Sequence, residues 1–193
     1  IYEDCAFDTH RDGLLLADDF MRKVDEPGTW KLDGFRLTGP EFSDPQYNFA
    51  LVANGTATAS VGEDSWSNYR IAASVLPGPE HTGIQHQAGA ALITLALVEQ
   101  GRRAVLSRQI DGKLEELAST DLPHYGALNW RRLALIHADG QLHGYVDNVR
   151  RLSADAPNSA AAGQAGVFNS AGTAYVDDIS IVSNAAIIGG TSL

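Results

Sequence analysis

The chain has 193 residues, 44% of them hydrophobic, which is long enough for one domain with a sizeable core. Its 14 Lys and Arg are outnumbered by 24 Asp and Glu, and the formal charge of -10 repels phosphate backbones and anionic lipid surfaces. The composition therefore argues against nucleic acid and membrane surfaces as partners, and no apolar run is long enough to span a bilayer.

The two ends of the sequence carry matching acidic strands. Residues 1–13 are polar and irregular, and we interpret residues 1–15 as an N-terminal extension before a single domain over 16–183. The domain opens on Leu16 to Phe20, which contains Asp18 and Asp19, and it closes on the alternating strand Tyr175 to Ile181. Asp is depleted in strands, so a strand that carries two adjacent acids is unusual. Because both end strands carry such a pair, we predict that they are neighbours. Residues 184–193 form a C-terminal tail.

Two dipeptides near the start predict hairpins. Asp33-Gly34 separates two short strands ending at Leu32 and Leu37, and Asn54-Gly55 separates two further strands. Asp-Gly and Asn-Gly between alternating segments are strong signals for tight turns. We therefore expect a hairpin at each dipeptide.

From there on, strands with turn residues between them follow at the short spacing of an all-β sandwich. They are predicted at 69–76, 83–87, 92–98, 104–110, 113–118, 131–137, 141–146 and 165–170. Residues 92–100 have some helical propensity, but their place between two strand-like segments favours a strand. The expected fold is a sandwich of about a dozen strands, with inner faces about 10 Å apart.

The order of landmarks along the chain resembles a known superfamily. The landmarks are Asp18-Asp19-Phe20, Trp30 before Asp33-Gly34, Trp66 to Arg70, Thr82-Gly83-Ile84, Asp111-Gly112, Trp130 with Leu133 and Leu135, Gly140 with Tyr145 to Asp147, Gly166-Val167, and Val176 to Ile179. In this order they resemble the concanavalin A-like lectin/glucanase jelly rolls, above all the laminin G-like and 3-keto-disaccharide hydrolase-like members. The resemblance covers residues 16 to 182.

The resemblance implies a jelly-roll β-sandwich of two curved antiparallel sheets, with sugar bound on the concave sheet. It also implies a structural calcium ion where the first and last strands meet, and Asp19 and Asp178 stand at the corresponding positions. Calcium wants about six to eight oxygen ligands, so backbone carbonyls would have to complete the site. The alternative is that both carboxylates are simply exposed to solvent.

Alternation supplies candidates for the sugar-binding face. A sugar site needs planar polar groups for the hydroxyls and an aromatic ring for the pyranose, on the face opposite the apolar stripe. The residues that satisfy this description are Arg70, Gln85, Gln87, His143, Tyr145 and Asn169. Trp30 and Trp130 are predicted in the core and Trp66 at a rim.

The sequence does not settle whether the protein cleaves its ligand. The Glu-x-Asp-x-Glu triplet that glucanases of this architecture carry is missing, and the adjacent Glu115 and Glu116 point to opposite faces of a strand. His86, His143 and Tyr145 are the candidates for proton transfer, although His86 also fits a core position beside Ile84. Six scattered histidines show no zinc spacing.

Three hypotheses therefore stay open. The first is a carbohydrate-recognising domain that binds an oligo- or polysaccharide. The second is a glycan-cleaving enzyme resembling either the 3-keto-glycoside hydrolases or the polysaccharide lyases, and the third is a laminin G-like adhesion module. Each fits a secreted or periplasmic protein, and the sequence starts at Ile1 without an initiator methionine, as a processed or trimmed chain would. The oligomeric state is left open.

Overall fold

The computed structural model describes residues 13–40, 48–123, 129–138, 140–155 and 162–183, and these residues form thirteen β-strands. The strands are β1 (Leu14–Asp18), β2 (Lys31–Leu37), β3 (Leu51–Val61), β4 (Tyr69–Leu76), β5 (Thr82–Ala88), β6 (Ala91–Val98), β7 (Arg103–Ile110), β8 (Lys113–Asp121), β9 (Arg131–Ala138), β10 (Gln141–Val146), β11 (Val149–Asp155), β12 (Ala165–Asn169) and β13 (Thr173–Ser183). Within these ranges the chain contains no helix of the length and apolarity that crossing a bilayer requires. The N-terminal extension, up to residue 12, and the predicted tail at 184–193 lie outside the described residues.

The strands pair antiparallel in a continuous sheet that doubles over into two layers. The front layer has the order β2-β3-β12-β5-β6-β7-β8, and the back layer has the order β1-β13-β4-β9-β10-β11. The first half of β3 also pairs with the start of β13, which joins the layers along one side. This confirms the predicted all-β jelly-roll sandwich.

The core lies between the layers because successive side chains of each strand point alternately into and out of the sandwich. Strand β6 illustrates this. Ile93, Leu95 and Leu97 point inward and are fully buried, while Thr94 points outward and is half-buried. Leucines and isoleucines of the back layer, such as Leu133 and Ile181, meet them in one cluster. Each such side chain contributes roughly 1.5–3 kcal/mol on burial.

The first and last strands are neighbours, as the sequence predicts. β1 pairs antiparallel with β13, and Asp18 stands opposite Ile179. Phe20, however, lies beyond the end of the strand, with a left-handed φ of 55°. It is fully buried against Trp30, with ring centroids 5.9 Å apart, and thereby closes this side of the core. Trp30 is in the core as predicted.

Both predicted hairpins near the start are wrong, because the two dipeptides lie inside strands. β2 runs through Asp33-Gly34 with a bulge, and β3 runs through Asn54-Gly55 without turning back. At Gly34, φ is +77°, and a Cβ would lie 2.7 Å from the carbonyl oxygen of Thr56. The glycine therefore allows a bulge and a close approach of β3 instead of a turn. Strand β11 follows the tight turn at Asp147-Asn148 and was not predicted.

Candidate functional site

The outer face of the front layer is concave and holds a hollow of about 660 Å³. Its lining comes from strands as far apart as β3, which contributes Thr58, and β8, which contributes Glu116. These strands are five positions apart in the layer, or about 24 Å at the usual strand spacing. One hollow reaches both because the layer curves. We call it the concave hollow.

A row of polar residues crosses the floor of the concave hollow at right angles to the strands. Pairing places Gln85 opposite Thr94, Thr94 opposite Ser107, and Ser107 opposite Glu116. The hydroxyls of Thr94 and Ser107 hydrogen-bond to each other at 2.7 Å and retain further bonding capacity. The Gln85 amide makes no hydrogen bond to the residues that the structure describes. The row therefore offers donors and acceptors to a ligand.

An apolar row runs beside the polar one. Phe168, Gly83, Ala96 and Val105 stand opposite one another on successive strands. Gly83 has no side chain, and the half-buried ring of Phe168 packs against a small cluster of Ala96, Val98 and Val105. The floor is thus amphipathic, with one aromatic ring at its β12 end.

Charged side chains stand around this floor. The Arg103 guanidinium is 2.8 Å from the Glu116 carboxylate and donates a second hydrogen bond to Ser119 Oγ at 2.5 Å. Glu80 and Glu99 come from the β4–β5 and β6–β7 connections and line the same end of the hollow. The lining thus contains three glutamates and one arginine.

The six predicted sugar-binding residues do not share one face. Gln85 lines the concave hollow, and Gln87 lies on the same face of β5, where its amide donates to the Gly89 carbonyl at 2.7 Å. Asn169 borders the hollow but is buried, and its amide nitrogen donates to the carbonyls of Gly55, Ala171 and Gly172. Its carbonyl accepts from the Thr82 hydroxyl, so Asn169 holds a turn together.

The other three predicted residues lie on the outer face of the back layer. Arg70 stands opposite Ile136, and Ile136 stands opposite His143, with Tyr145 next on the same face of β10. This face, which we call the back face, is separated from the concave hollow by the whole core. The expectation that all six residues form one concave site is therefore wrong.

The proposed proton-transfer residues are also apart. His86 is buried in the core, where its Nδ1 hydrogen-bonds to the Tyr69 hydroxyl and the two rings meet edge to face at 4.7 Å. Burial raises the pKa of Tyr69. His143 and Tyr145 lie on the back face, so the three groups cannot act on one bond.

Sequence reasoning missed Thr94, Ser107 and Phe168. A signal was available, because Thr94 is a polar position on the outward face of the otherwise apolar strand β6, and Ser107 stands opposite it on β7. The tight turn at Asp111-Gly112 and the turn ending at Gly101 fix the register of β6, β7 and β8. Phe168 reaches the hollow only because β12 inserts beside β5, a pairing between distant parts of the chain. Trp130, predicted in the core, is 37% exposed.

Asp19 and Asp178, the residues predicted to hold calcium, lie with Asp18 where β1 and β13 meet. Asp18 accepts hydrogen bonds from both Arg22 amino groups and from Trp30 Nε1, at 2.6–2.9 Å, so its carboxylate is committed. Asp19 accepts from the backbone of Met21, and Asp178 accepts from the Ser74 hydroxyl at 3.3 Å.

These side chains fit calcium poorly. The part of the chain that the structure describes holds no group of three or more acidic, His or Cys side chains placed for a metal. Two carboxylates fall well short of the six to eight oxygens that calcium takes. Calcium at Asp19 and Asp178 therefore remains an untested prediction.

Asp177, which precedes Asp178 in the chain, has a raised pKa. Burial raises its pKa to about 7, and the negative charges of Asp178, Asp19 and Asp18 add to the rise. A hydrogen bond from the Asp178 backbone opposes the shift. This carboxyl is thus partly neutral near physiological pH.

The fold is shared with solved structures that are only 10–13% identical in sequence to this chain. The carbohydrate-binding module CBM66 from Bacillus subtilis matches with a TM-score of 0.66 and 13% identity, covering 85% of this chain and 99% of that one. A protein of unknown function with a galectin-like fold from Bacillus subtilis matches with a TM-score of 0.67 and 12% identity. The match covers 90% of this chain and 97% of that one. The Bacillus licheniformis β-glucanase matches with a TM-score of 0.66 and 10% identity. The match covers 89% of this chain and 98% of that one. No protein-family model and no curated protein sequence matches the chain.

Proposed function

We propose that this protein binds an oligo- or polysaccharide in the concave hollow. The observation that carries the proposal is the amphipathic floor, where the apolar row ending at Phe168 runs beside the polar row containing Gln85. A pyranose ring has an apolar C–H face and a rim of hydroxyls. The first can stack on an aromatic ring and the second can bond to amide and hydroxyl groups.

The solved structures that share the fold include a carbohydrate-binding module and a β-glucanase, which supports a carbohydrate ligand. Fold alone does not assign function, so the proposal depends on the hollow. A secreted or periplasmic location, where polysaccharides are met, belongs to the same proposal.

Binding is favoured over cleavage by the state of the candidate groups. Glycoside hydrolysis usually takes two carboxyl groups across one bond, and the Glu116 carboxylate is already paired with Arg103. His86 is buried in the core, whereas His143 and Tyr145 lie on the back face, away from the concave hollow. The proposed role is therefore recognition, and cleavage is an outcome that the experiment must be able to detect.

The test is a screen of the purified chain against immobilised glycans, read for retention and for new reducing or unsaturated ends. We expect retention without product. Phe168→Ala should weaken binding about tenfold or more, because it removes the stacking ring. Tyr145→Ala, which removes a half-buried aromatic ring from the back face, is the matched control and should bind like the parent.

Two results would contradict the proposal. If Tyr145→Ala loses affinity and Phe168→Ala does not, the site lies on the back face with Arg70, His143 and Tyr145, as alternation alone suggests. If new ends appear, the protein is an enzyme, and Glu80, Glu99 and Glu116 become the first residues to substitute. Circular dichroism of both variants establishes that each is folded.

A further inference from the structure

The charges that line the concave hollow bear on which glycans it can accept. Among the described residues that line it, three glutamates, Glu80, Glu99 and Glu116, stand against one arginine, Arg103, and the lining also includes His81. Binding sites for carboxylate or sulfate groups generally present an arginine fork or a lysine to the anion. Arg103 is engaged by Glu116 at 2.8 Å and by Ser119 at 2.5 Å. An incoming anion would have to displace a carboxylate to reach it.

The two remaining acids lie at one end of the hollow. Glu80 is exposed and its carboxylate accepts a hydrogen bond from the Ser170 hydroxyl at 3.4 Å, while Glu99 is exposed at the β6–β7 turn. A concave wall of low dielectric constant strengthens the field that such charges produce inside. The whole chain carries -10, so the long-range field has the same sign.

The groups that remain available for a ligand are uncharged. Among them are the Gln85 amide, the Thr94 hydroxyl and the Phe168 ring, with the mostly buried Ser107 hydroxyl beside Thr94. Amides and hydroxyls orient sugar hydroxyls without needing a charge on the ligand. Attraction therefore comes from neutral groups, and the fixed charges act against one class of competitor, which is how specificity is often obtained.

We propose that the concave hollow selects neutral glycans and rejects acidic ones, because Arg103, the one arginine or lysine among the described residues that line it, is paired with Glu116 while Glu80 and Glu99 repel anions. This inference rests on the proposed function and adds the ligand class.

The experiment compares polysaccharides with the same backbone and substituents of similar size but different charge. Hydroxyethyl and carboxymethyl ethers of cellulose, dextran and inulin are immobilised in pairs, and binding of the intact chain is measured. We expect at least about tenfold weaker binding to the carboxymethyl member of the pair whose neutral member binds, a difference of about 1.4 kcal/mol. We call the difference in affinity between the two members of a pair the gap. The gap should narrow when salt is raised from about 10 mM to about 1 M, since the Debye length falls from about 30 Å to about 3 Å.

Variants separate charge from shape. The double substitution Glu80→Gln with Glu99→Gln should reduce the gap between the two members of a pair. The matched control is Glu63→Gln with Asp64→Asn, which removes the same charge from the exposed β3–β4 connection outside the hollow, and it should leave the gap as it is.

Each outcome decides something. Equal or stronger binding to the carboxymethyl member overturns the neutral-glycan inference and leaves carbohydrate binding standing. A gap that persists in high salt and in the Glu80 and Glu99 variant points to shape rather than charge and also overturns it. Absence of binding to every glycan, charged or neutral, in this assay and the screen overturns the proposed function itself.

Discussion

On the concave face, the Gln85 amide has no hydrogen-bond partner among the described residues, and the Thr94 and Ser107 hydroxyls are only partly used. On the back face, Arg132 donates to Ser74 and Ser180 at 3.3 Å and also to the carbonyl of Asp178. There the outward alanines, Ala72 and Ala134, are buried. Polar residues of the back face are thus bonded to one another around Arg132, whereas the concave hollow presents amide and hydroxyl groups that can still bind a ligand.

The largest effect expected from this difference comes from filling the hollow. Thr94→Trp places a large ring at the centre of the polar row, and we expect glycan affinity to fall by about 100-fold or more, equivalent to about 2.7 kcal/mol. Ser153→Trp adds the same ring at an exposed outward position of the back layer and should not change affinity. Isothermal titration with the glycan found in the screen measures both. Equal losses in the two variants would show that the hollow is not special.

Next in size is a stability effect confined to the back face. Arg132→Ala removes hydrogen bonds to three residues from a half-buried guanidinium, and we expect a loss of about 1–2 kcal/mol in the free energy of unfolding. Arg150→Ala, on exposed strand β11, should stay within about 0.5 kcal/mol of the parent. Urea denaturation gives both values. If Arg132→Ala leaves stability intact but weakens glycan binding, Arg132 belongs to a binding site.

A smaller change in affinity should follow from removing the amide on the concave face. Gln85→Ala deletes one set of hydrogen bonds to the ligand, worth about 0.5–1.5 kcal/mol or roughly 2- to 12-fold in affinity. Gln141→Ala is the matched change on β10 of the back layer, where the amide donates to Asp155, and it should have no effect on binding. An unchanged affinity in Gln85→Ala would remove the polar row from the site.

The smallest expected effect is the pH dependence of stability at Asp177. Its pKa is raised from 3.8 to about 7 in the folded chain, so between these values the folded state binds more protons than the unfolded state. Stability contributed by the neutral carboxyl is therefore complete below about pH 4 and is lost as pH rises towards 7. Because Asp177 is partly exposed to solvent, we expect a fall in Tm on the order of 3 °C. Asp177→Asn should flatten this slope; an unchanged slope would contradict the assignment.

The same melting assay tests the calcium prediction. If calcium binds at Asp19 and Asp178, it should raise Tm, because an ion that binds only the folded state stabilises that state. The rise should disappear in Asp178→Asn and on chelation. If calcium and chelator both leave the Tm of the parent unchanged, the predicted ion at Asp19 and Asp178 is ruled out.

The sequence predicted well where the strands lie and predicted poorly which strands pair with each other. Alternation and turn residues located most strands, including β6, where Ile93, Leu95 and Leu97 outweigh helical propensity. Gly34 and Gly55 misled because glycine serves a bulge or a close strand approach as readily as a turn. Local sequence cannot distinguish these uses, since the difference lies in the pairing of β2 with β3.

For the site, alternation correctly put Gln85 on an outward face but also selected His143, which lies on the opposite side of the molecule. A period of two indicates which residues of one strand share a face; it does not say which layer the strand joins. The sequence by itself determined an all-β sandwich whose acidic end strands are adjacent. Tertiary structure decided that β12 inserts between β3 and β5 and brings Phe168 beside Ala96, because strand pairing joins residues far apart in the chain.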